Sequence, residues 1–544
     1  MIAEAPSSQT RLGCTAIAVL LCLGIGLRVA NLNNVAGRSP DETNYTRQAN
    51  TLLQEGSAGL QRLAAEYQRD PAARIAGPPT RAGYLWLLAA TMRLTGKTDE
   101  SAGVALSCAA SIGSLFLLTL IGIRFFPLWA TLFALLSLAV SPAELELARR
   151  AWTDALAGFL GLALIYVSGE ITRDSARRVW HWLFVFIGSL GIVGKEFGPV
   201  VFGLCAVWVL WVMLIQRKDF RNGLAVMAAG LVGTAASVVW LAYSIGGFSV
   251  LAQTVTNWRA AHLANAYALE YQSGPGHFLL QAFYVISPAA ALFCLIGLAA
   301  ALFARHKLGG LRVQTDGVNW QVSRWIALIL LVYLSLGMML PRWLNLRYVS
   351  VLFGPYYLIA GLGFWYCANA CWNNFCWKRL GESLRPVFSA AVILGLVISS
   401  VSDYRRFQRM FVNNGLGDLS VKLVLDRADM SAAEKRVKRA PTPENYLLLC
   451  HLYNRNWRYP DAIAACQNAL ALRPDDADAD ADAAEGEIYD ELAAAYVDLA
   501  MWDEAIQAAQ EALQRNPDLP RARANLARAI DQKQLNGSAA ASTP

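Results

Sequence analysis

The sequence predicts an all-α protein in two parts, a polytopic membrane domain followed by a helical-repeat domain. Composition, charge distribution and an internal repeat predict it. Of 544 residues, 56% are hydrophobic and only 16% charged, against about 25% charged in ordinary soluble domains. Residues 443–544 hold 17 Asp and Glu against 8 Lys and Arg, a balance of −9, which leaves +16 on the first 442. That positive charge lies in short clusters between apolar runs, which marks membrane topology and not a nucleic-acid surface. The expected organisation is a membrane domain at 1–402, a connector at 403–442, repeats at 443–534 and a disordered tail at 535–544.

A membrane-crossing helix needs roughly 20 apolar residues. Eleven segments qualify, at about 12–30, 101–123, 126–143, 153–169, 180–197, 199–216, 223–245, 277–303, 324–340, 348–370 and 386–402. The first has a weakly basic flank and no small-residue cleavage site, so it reads as an anchor and not a signal peptide. Gly83–Leu94 is apolar but about a dozen residues long, which suits an interfacial helix. With that helix not crossing, Arg124, Arg173/Arg177/Arg178, Arg217/Lys218/Arg221, Arg305/His306/Lys307/Arg312 and Lys378/Arg379/Arg385 fall on one side. The positive-inside rule makes that side the cytoplasm. The N-terminus is then cytoplasmic. The chain after Ser402 is exoplasmic, periplasmic in a Gram-negative bacterium, and the expected home is the inner (plasma) membrane.

In the tail, Tyr446, Leu449, Tyr453, Ala462, Ala469 and Pro474 recur as Tyr489, Leu492, Tyr496, Ala505, Ala512 and Pro517, each displaced by 43 residues. The internal spacing resembles the tetratricopeptide repeat, a helix–turn–helix unit of about 34 residues. Small Ala side chains let paired helices approach, aromatics fill between them, and Pro ends the second helix. The extra residues fall in the acidic run Asp475–Asp482, read as a solvated linker. A helix near Leu519–Gln532 reads as a cap. Such repeats bind protein partners, so the tail reads as a docking module. Most of the ten cysteines lie in apolar runs and read as small core residues. Cys371 and Cys376 lack the partners a zinc site needs. Cys450 and Cys466 lie on the paired helices of the first repeat; two buried thiols and a disulfide both fit there, the latter in an oxidising compartment. In the connector, Leu416–Leu425 and the basic Lys435/Arg436/Lys438/Arg439 suit a segment lying along the membrane surface.

Ionisable groups at the ends of spans are functional candidates because they are costly there. The adjacent carboxylates Asp41 and Glu42 open the first outer loop, with Tyr45 close behind. Arg149, Arg150, Asp154, Lys195, Glu196, Arg342, Arg347 and Tyr348 emerge on the same predicted face. A carboxylate there can take a proton from a hydroxyl nucleophile, and the cations can neutralise a phosphate leaving group. Asp154 can cap its helix or orient an arginine. No Gly-rich phosphate loop, His-x-x-x-His, Cys-x-x-Cys or nucleophile elbow occurs, so nucleotide hydrolysis, metal-activated water and serine catalysis lack support. No cofactor is expected, and a divalent metal is not supported.

The order of these features resembles the GT-C glycosyltransferases, most closely the protein O-mannosyltransferase and aminoarabinose-transferase branch. It is carried by Asp41-Glu42 with Tyr45, Gly77-Pro78-Pro79 before a short apolar helix, Arg149-Arg150-Ala151-Trp152-Thr153-Asp154, Gly194-Lys195-Glu196 and Arg347-Tyr348, over residues 12–402. The resemblance implies a GT-C-like bundle with interfacial helices and a polyprenyl-phosphate-linked sugar donor. It also implies inverting transfer to an exoplasmic protein, lipid or glycan acceptor, with Asp41 as general base. Arg149, Arg150, Lys195, Arg342 and Arg347 are the expected phosphate-binding set; Asp154, Glu196, Tyr45 and Tyr348 are supporting residues. The chain departs from the mannosyltransferases in lacking their inserted lumenal domain and ending in repeats. Two competing readings are a transporter or flippase for a lipid-linked or anionic substrate, and a scaffold recruiting envelope proteins. The first predicts inverted repeats and mid-membrane charges, whereas here the charges sit at span ends.

Overall fold

The computed structural model describes residues 8–32, 35, 39–69, 77–196, 198–264, 271–303, 317–340, 342–371, 385–413, 418–456, 458–473 and 479–541. Among them the regular structure is helical, apart from one isolated antiparallel bridge between Asn345 and Ser420. Arg38, the basic clusters at 305–312 and 378–379, Cys376, Pro474 and Asp475–Asp478 lie outside the described residues. The chain divides into two compact units, Met1–Val421 and Lys422–Pro544.

Among the described residues of the first unit, seven helices are long and apolar enough to cross a membrane: Leu12–Val29, Glu100–Phe125, Asp154–Arg173, Gly198–Gln216, Phe220–Ile245, Trp320–Met339 and Ser350–Cys371. This is a multi-pass membrane protein. Others of the eleven expected spans take a different form. Leu128–Val140 has only 13 residues, which is about 20 Å of helix. Arg178–Gly194 is also short. The expected span 277–303 is two helices, His277–Ile286 and Pro288–Phe303. Pro288 cannot donate the hydrogen bond that a continuous helix requires, and the apolar run hid the break. Arg385–Phe407 outruns its expected end and continues as a π-helical turn to Asn413. Ala82–Thr95 forms the expected short apolar helix.

Close helix contact here depends on small residues, as is usual where lipid supplies no hydrophobic drive. A Cβ on Gly363 would lie 1.9 Å from the Phe293 carbonyl oxygen, and one on Gly297 1.9 Å from that of Ile359. Helices Pro288–Phe303 and Phe353–Cys371 therefore touch backbone to backbone. Arg28, wholly buried, pins the first helix by donating to Ser111 Oγ (2.7 Å) and to the carbonyls of Leu138 (3.1 Å) and Ala139 (3.2 Å).

In the second unit, Pro443–Arg455 pairs with Tyr459–Ala471, and Ala479–Asp498 with Trp502–Arg515; Pro520–Ala541 follows. Leu449, Ala462 and Ala469 are buried, as are Leu492, Ala505 and Ala512 in the same places of the second pair. Cys450 and Cys466 form a disulfide across the first pair, with Cα atoms 5.4 Å apart. Ala493 and Ala509 occupy the equivalent positions 43 residues on and are likewise buried. Glu491 joins three helices by accepting from His451 Nδ1 (3.0 Å), Asn454 Nδ2 (2.7 Å) and Arg521 Nη2 (2.5 Å).

Candidate functional site

The helix Pro40–Glu55 starts with its first-turn carboxylates facing different ways. Successive helical residues are rotated by about 100°, so Asp41 and Glu42 cannot share an environment. Glu42 is fully buried. Its Oε2 accepts from the Ser39 backbone N–H (2.7 Å) and Arg150 Nη1 (3.2 Å), and its Oε1 from the Ala151 backbone N–H (2.8 Å). Arg150 also pairs through Nε with Glu146 Oε1 at 2.6 Å. This closed group ties the first outer loop to the Arg149–Asp154 turn.

Asp41 instead keeps 42% of its side chain exposed and pairs with Arg347 Nη2 at 2.9 Å. Arg347 reaches Asp154 Oδ2 through Nε (3.3 Å) and Asp418 Oδ1 through Nη1 (3.8 Å), while its guanidinium lies 4.0 Å from the Trp152 ring centroid. Lys195 Nζ completes the group at 2.6 Å from Asp154 Oδ1, and also donates to the Arg347 carbonyl (2.9 Å). Burial opposes charge on Arg347, but Asp154, Asp41 and Asp418 outweigh it and hold its pKa well above the ordinary value. Beside them, Arg81 pairs with Glu196 at 2.8 Å and lies 5.3 Å from the Tyr45 ring. Burial again opposes its charge, and Glu196 and Asp41 reverse the effect. Tyr45 packs edge-on against Tyr84 at 5.4 Å.

The expected residues therefore divide. Asp41, Asp154, Lys195 and Arg347 meet in one network, with Tyr348 next to it; Glu196 joins through Arg81. Glu42 and Arg150 form the buried group behind it. Arg149 turns elsewhere, donating to the carbonyls of Leu145 (2.8 Å), Leu27 (2.7 Å) and Ala30 (3.0 Å) with its guanidinium over Phe407. No ion pair of Arg342 is recorded among the described residues; its backbone is left-handed, φ 63°, and its carbonyl accepts from His262 Nε2 at 3.2 Å. Arg81, Glu146, Trp152 and Asp418 were given no role by sequence reasoning. For Arg81 a signal existed, since it ends the turn that follows Pro78-Pro79.

A small, mostly apolar pocket of about 20 Å³ lies beside this network. Leu156, Leu160, Leu164, Val201 and Val351 line it together with Gly161, Gly191, Gly194 and Gly198, and its polar end carries Thr153, Lys195 and Tyr348. A Cβ on Gly194 would meet no atom within 4 Å. The pocket is small, with one cation, Lys195, in its wall. Among the described residues no group of three or more His, Cys, Asp or Glu is placed to hold a metal ion.

Helices long and apolar enough to cross a membrane, with a charged network at their ends, define a multi-pass membrane protein. No family model matches the chain, and no curated protein sequence matches it. Among solved structures it is similar to ArnT from Cupriavidus metallidurans in the apo state, at 13% identity and TM-score 0.42, over 91% of this chain and 80% of that one. It is also similar to ArnT from the same organism bound to undecaprenyl phosphate, at 14% identity and TM-score 0.42, over 92% and 80%.

Proposed function

We propose that this chain is a GT-C-type glycosyltransferase that moves a sugar from a polyprenyl-phosphate donor to a hydroxyl on an exoplasmic acceptor, with inversion. The observation that carries this reading is the half-exposed Asp41, joined through Arg347 to Asp154 and Lys195 beside a small apolar pocket. The donor phosphate lies on Arg347 and Lys195, and the lipid chain leads away from them past the apolar side chains that line the pocket. Asp41 is the general base because it is the most exposed carboxylate of the network: Glu196 keeps 25% of its side chain exposed, Asp418 11% and Asp154 1%.

In the transfer step, Asp41 accepts the proton of the acceptor hydroxyl as its oxygen bonds to the anomeric carbon. The bond from that carbon to the phosphate oxygen breaks on the opposite face. Its electron pair stays on the polyprenyl phosphate, whose charge Arg347 and Lys195 stabilise. Asp154 positions both cations. Glu42 and Arg150 are assigned a positioning role, fixing the loop that carries Asp41. The helix pairs of the second unit are assigned as tetratricopeptide-like repeats that engage a protein partner. The Cys450–Cys466 disulfide favours an oxidising compartment for them.

The test is transfer from undecaprenyl-phosphate-linked sugars by purified protein in liposomes, with and without a chelator. Asp41→Asn is expected to stop transfer while undecaprenyl phosphate still binds. Full turnover in that variant would remove Asp41 from the reaction, and failure of the wild type to bind the lipid phosphate would remove the donor class.

A further inference from the structure

Next to Arg347 stands a group of aromatic rings that the reaction as described does not use. Trp343 lies 5.1 Å from Tyr348, 5.2 Å from His262 and 6.0 Å, edge-on, from Trp258, measured between ring centroids. His262 in turn stacks on Trp258 at 5.8 Å and meets Tyr348 edge-on at 6.4 Å. All four side chains are partly exposed. They come from two places far apart in sequence, the helix Phe248–Ala264 and the turn before Ser350.

The turn is held in a costly form. Arg342 adopts φ 63° without being glycine, a conformation that persists only where its surroundings impose it. His262 is one such restraint, through its bond to the Arg342 carbonyl. A carbonyl oxygen only accepts, so Nε2 carries the proton and Nδ1 of the neutral ring is left as an acceptor. Burial lowers the His262 pKa and favours that neutral form. Two indoles, a phenol ring and an imidazole acceptor thus stand together, with Tyr348 next to Arg347 in the chain and sharing the pocket wall with Lys195.

We propose that Trp258, His262, Trp343 and Tyr348 form a sugar-binding wall, with the face of a pyranose ring against the indoles and a ring hydroxyl donating to His262 Nδ1. The inference rests on the glycosyltransferase reading above and names the part of the site that holds carbohydrate. Aromatic faces carry negative charge density and attract the weakly positive C–H face of a sugar ring. The same wall serves a sugar on the donor or one on a glycan acceptor.

Binding to full-length protein in nanodiscs separates the cases. The probes are undecaprenyl phosphate alone and undecaprenyl phosphate bearing glucose, mannose, galactose or arabinose. With a donor sugar on the wall, at least one sugar-bearing lipid binds about tenfold tighter than the bare lipid phosphate. Trp343→Leu and Trp258→Leu then erase that difference without weakening the bare lipid, and Trp343→Tyr restores most of it. With an acceptor glycan on the wall, the lipid ratio is unchanged. Saturation-transfer NMR then detects the methyl glycosides of the same sugars on the wild type, with the signal lost in both leucine variants. If neither the lipid ratio nor the glycoside signal depends on these tryptophans, the wall is packing and the proposal falls. A wild type that fails to bind undecaprenyl phosphate defeats the donor reading separately, because the glycoside arm needs no lipid.

Discussion

The two units of the chain both bury carboxylates among cations, and the two networks end differently. In the second unit, Glu491 is enclosed by His451, Asn454 and Arg521. In the first, the Arg347 network runs out to Asp41, which is 42% exposed. A group such as that around Glu491 holds helices together. The Arg347 group differs in that one member, Asp41, reaches water. The first unit contains both kinds, since Glu42 is as enclosed as Glu491 although it follows Asp41 in the chain.

Removing the exposed member should break function alone. Asp41→Asn is expected to lower transfer by about 10²–10⁴-fold, the usual worth of a general base, with an unchanged melting temperature; the reconstituted transfer assay and a thermal melt check both halves. Removing the enclosed neighbour should do the reverse. Glu42→Ala takes from buried Arg150 one of its two carboxylate partners, a loss of about 3 kcal/mol, and is expected to appear as poor accumulation and a lowered melting temperature. If Asp41→Asn destabilises the protein as much as Glu42→Ala, the distinction between the two kinds of network fails.

The second unit offers its own contrast. Cys450→Ser opens a link between residues 16 apart in sequence, worth about 3 kcal/mol by loop-closure arguments, and urea denaturation should show that loss. Burial alone would raise the Glu491 pKa, yet His451, Arg521 and Asn454 outweigh it and hold the group at about 2. A carboxylate lowered on folding contributes stability that is complete above its ordinary value near 4.5 and disappears as pH falls towards 2. Acid melts should therefore lose up to about 3 kcal/mol across that window, and Glu491→Gln should flatten the curve. The smallest effect is expected at Gly194, where an added side chain meets no atom within 4 Å. Gly194→Leu should leave folding intact and raise the KM for a lipid-linked donor by about tenfold, as seen in initial rates.

Much of the all-helical architecture was legible because long apolar runs and a 43-residue repeat are strong periodic signals. Helix breaks inside an apolar run were not: averaged over the length of a span, Ser287 and Pro288 disappear among their apolar neighbours. Asp41, Asp154, Lys195 and Arg347 stood out as charges at the ends of spans, and that rule found four members of one network. It did not separate Arg149 from Arg150, because adjacent residues share a position in sequence while their side chains leave the backbone in different directions. Trp152 was visible inside the Arg149–Asp154 motif, but a ring beneath a guanidinium is a tertiary fact. Asp418 fell in a stretch read as a connector. Its approach to Arg347 depends on Asp418–Ser420 running along Leu344–Leu346, where Leu346 N–H donates to the Leu419 carbonyl at 3.0 Å and Val421 N–H to that of Leu344 at 2.9 Å.

That short pairing sets where the first unit can be cut. A truncated protein ending at Ser402, after the last apolar segment, would lose a carboxylate that faces Arg347. One ending at Val421 would retain it along with the backbone bonds that carry it. Comparing two such truncations would separate what the repeats contribute from what the Arg347 network borrows from the stretch just ahead of them.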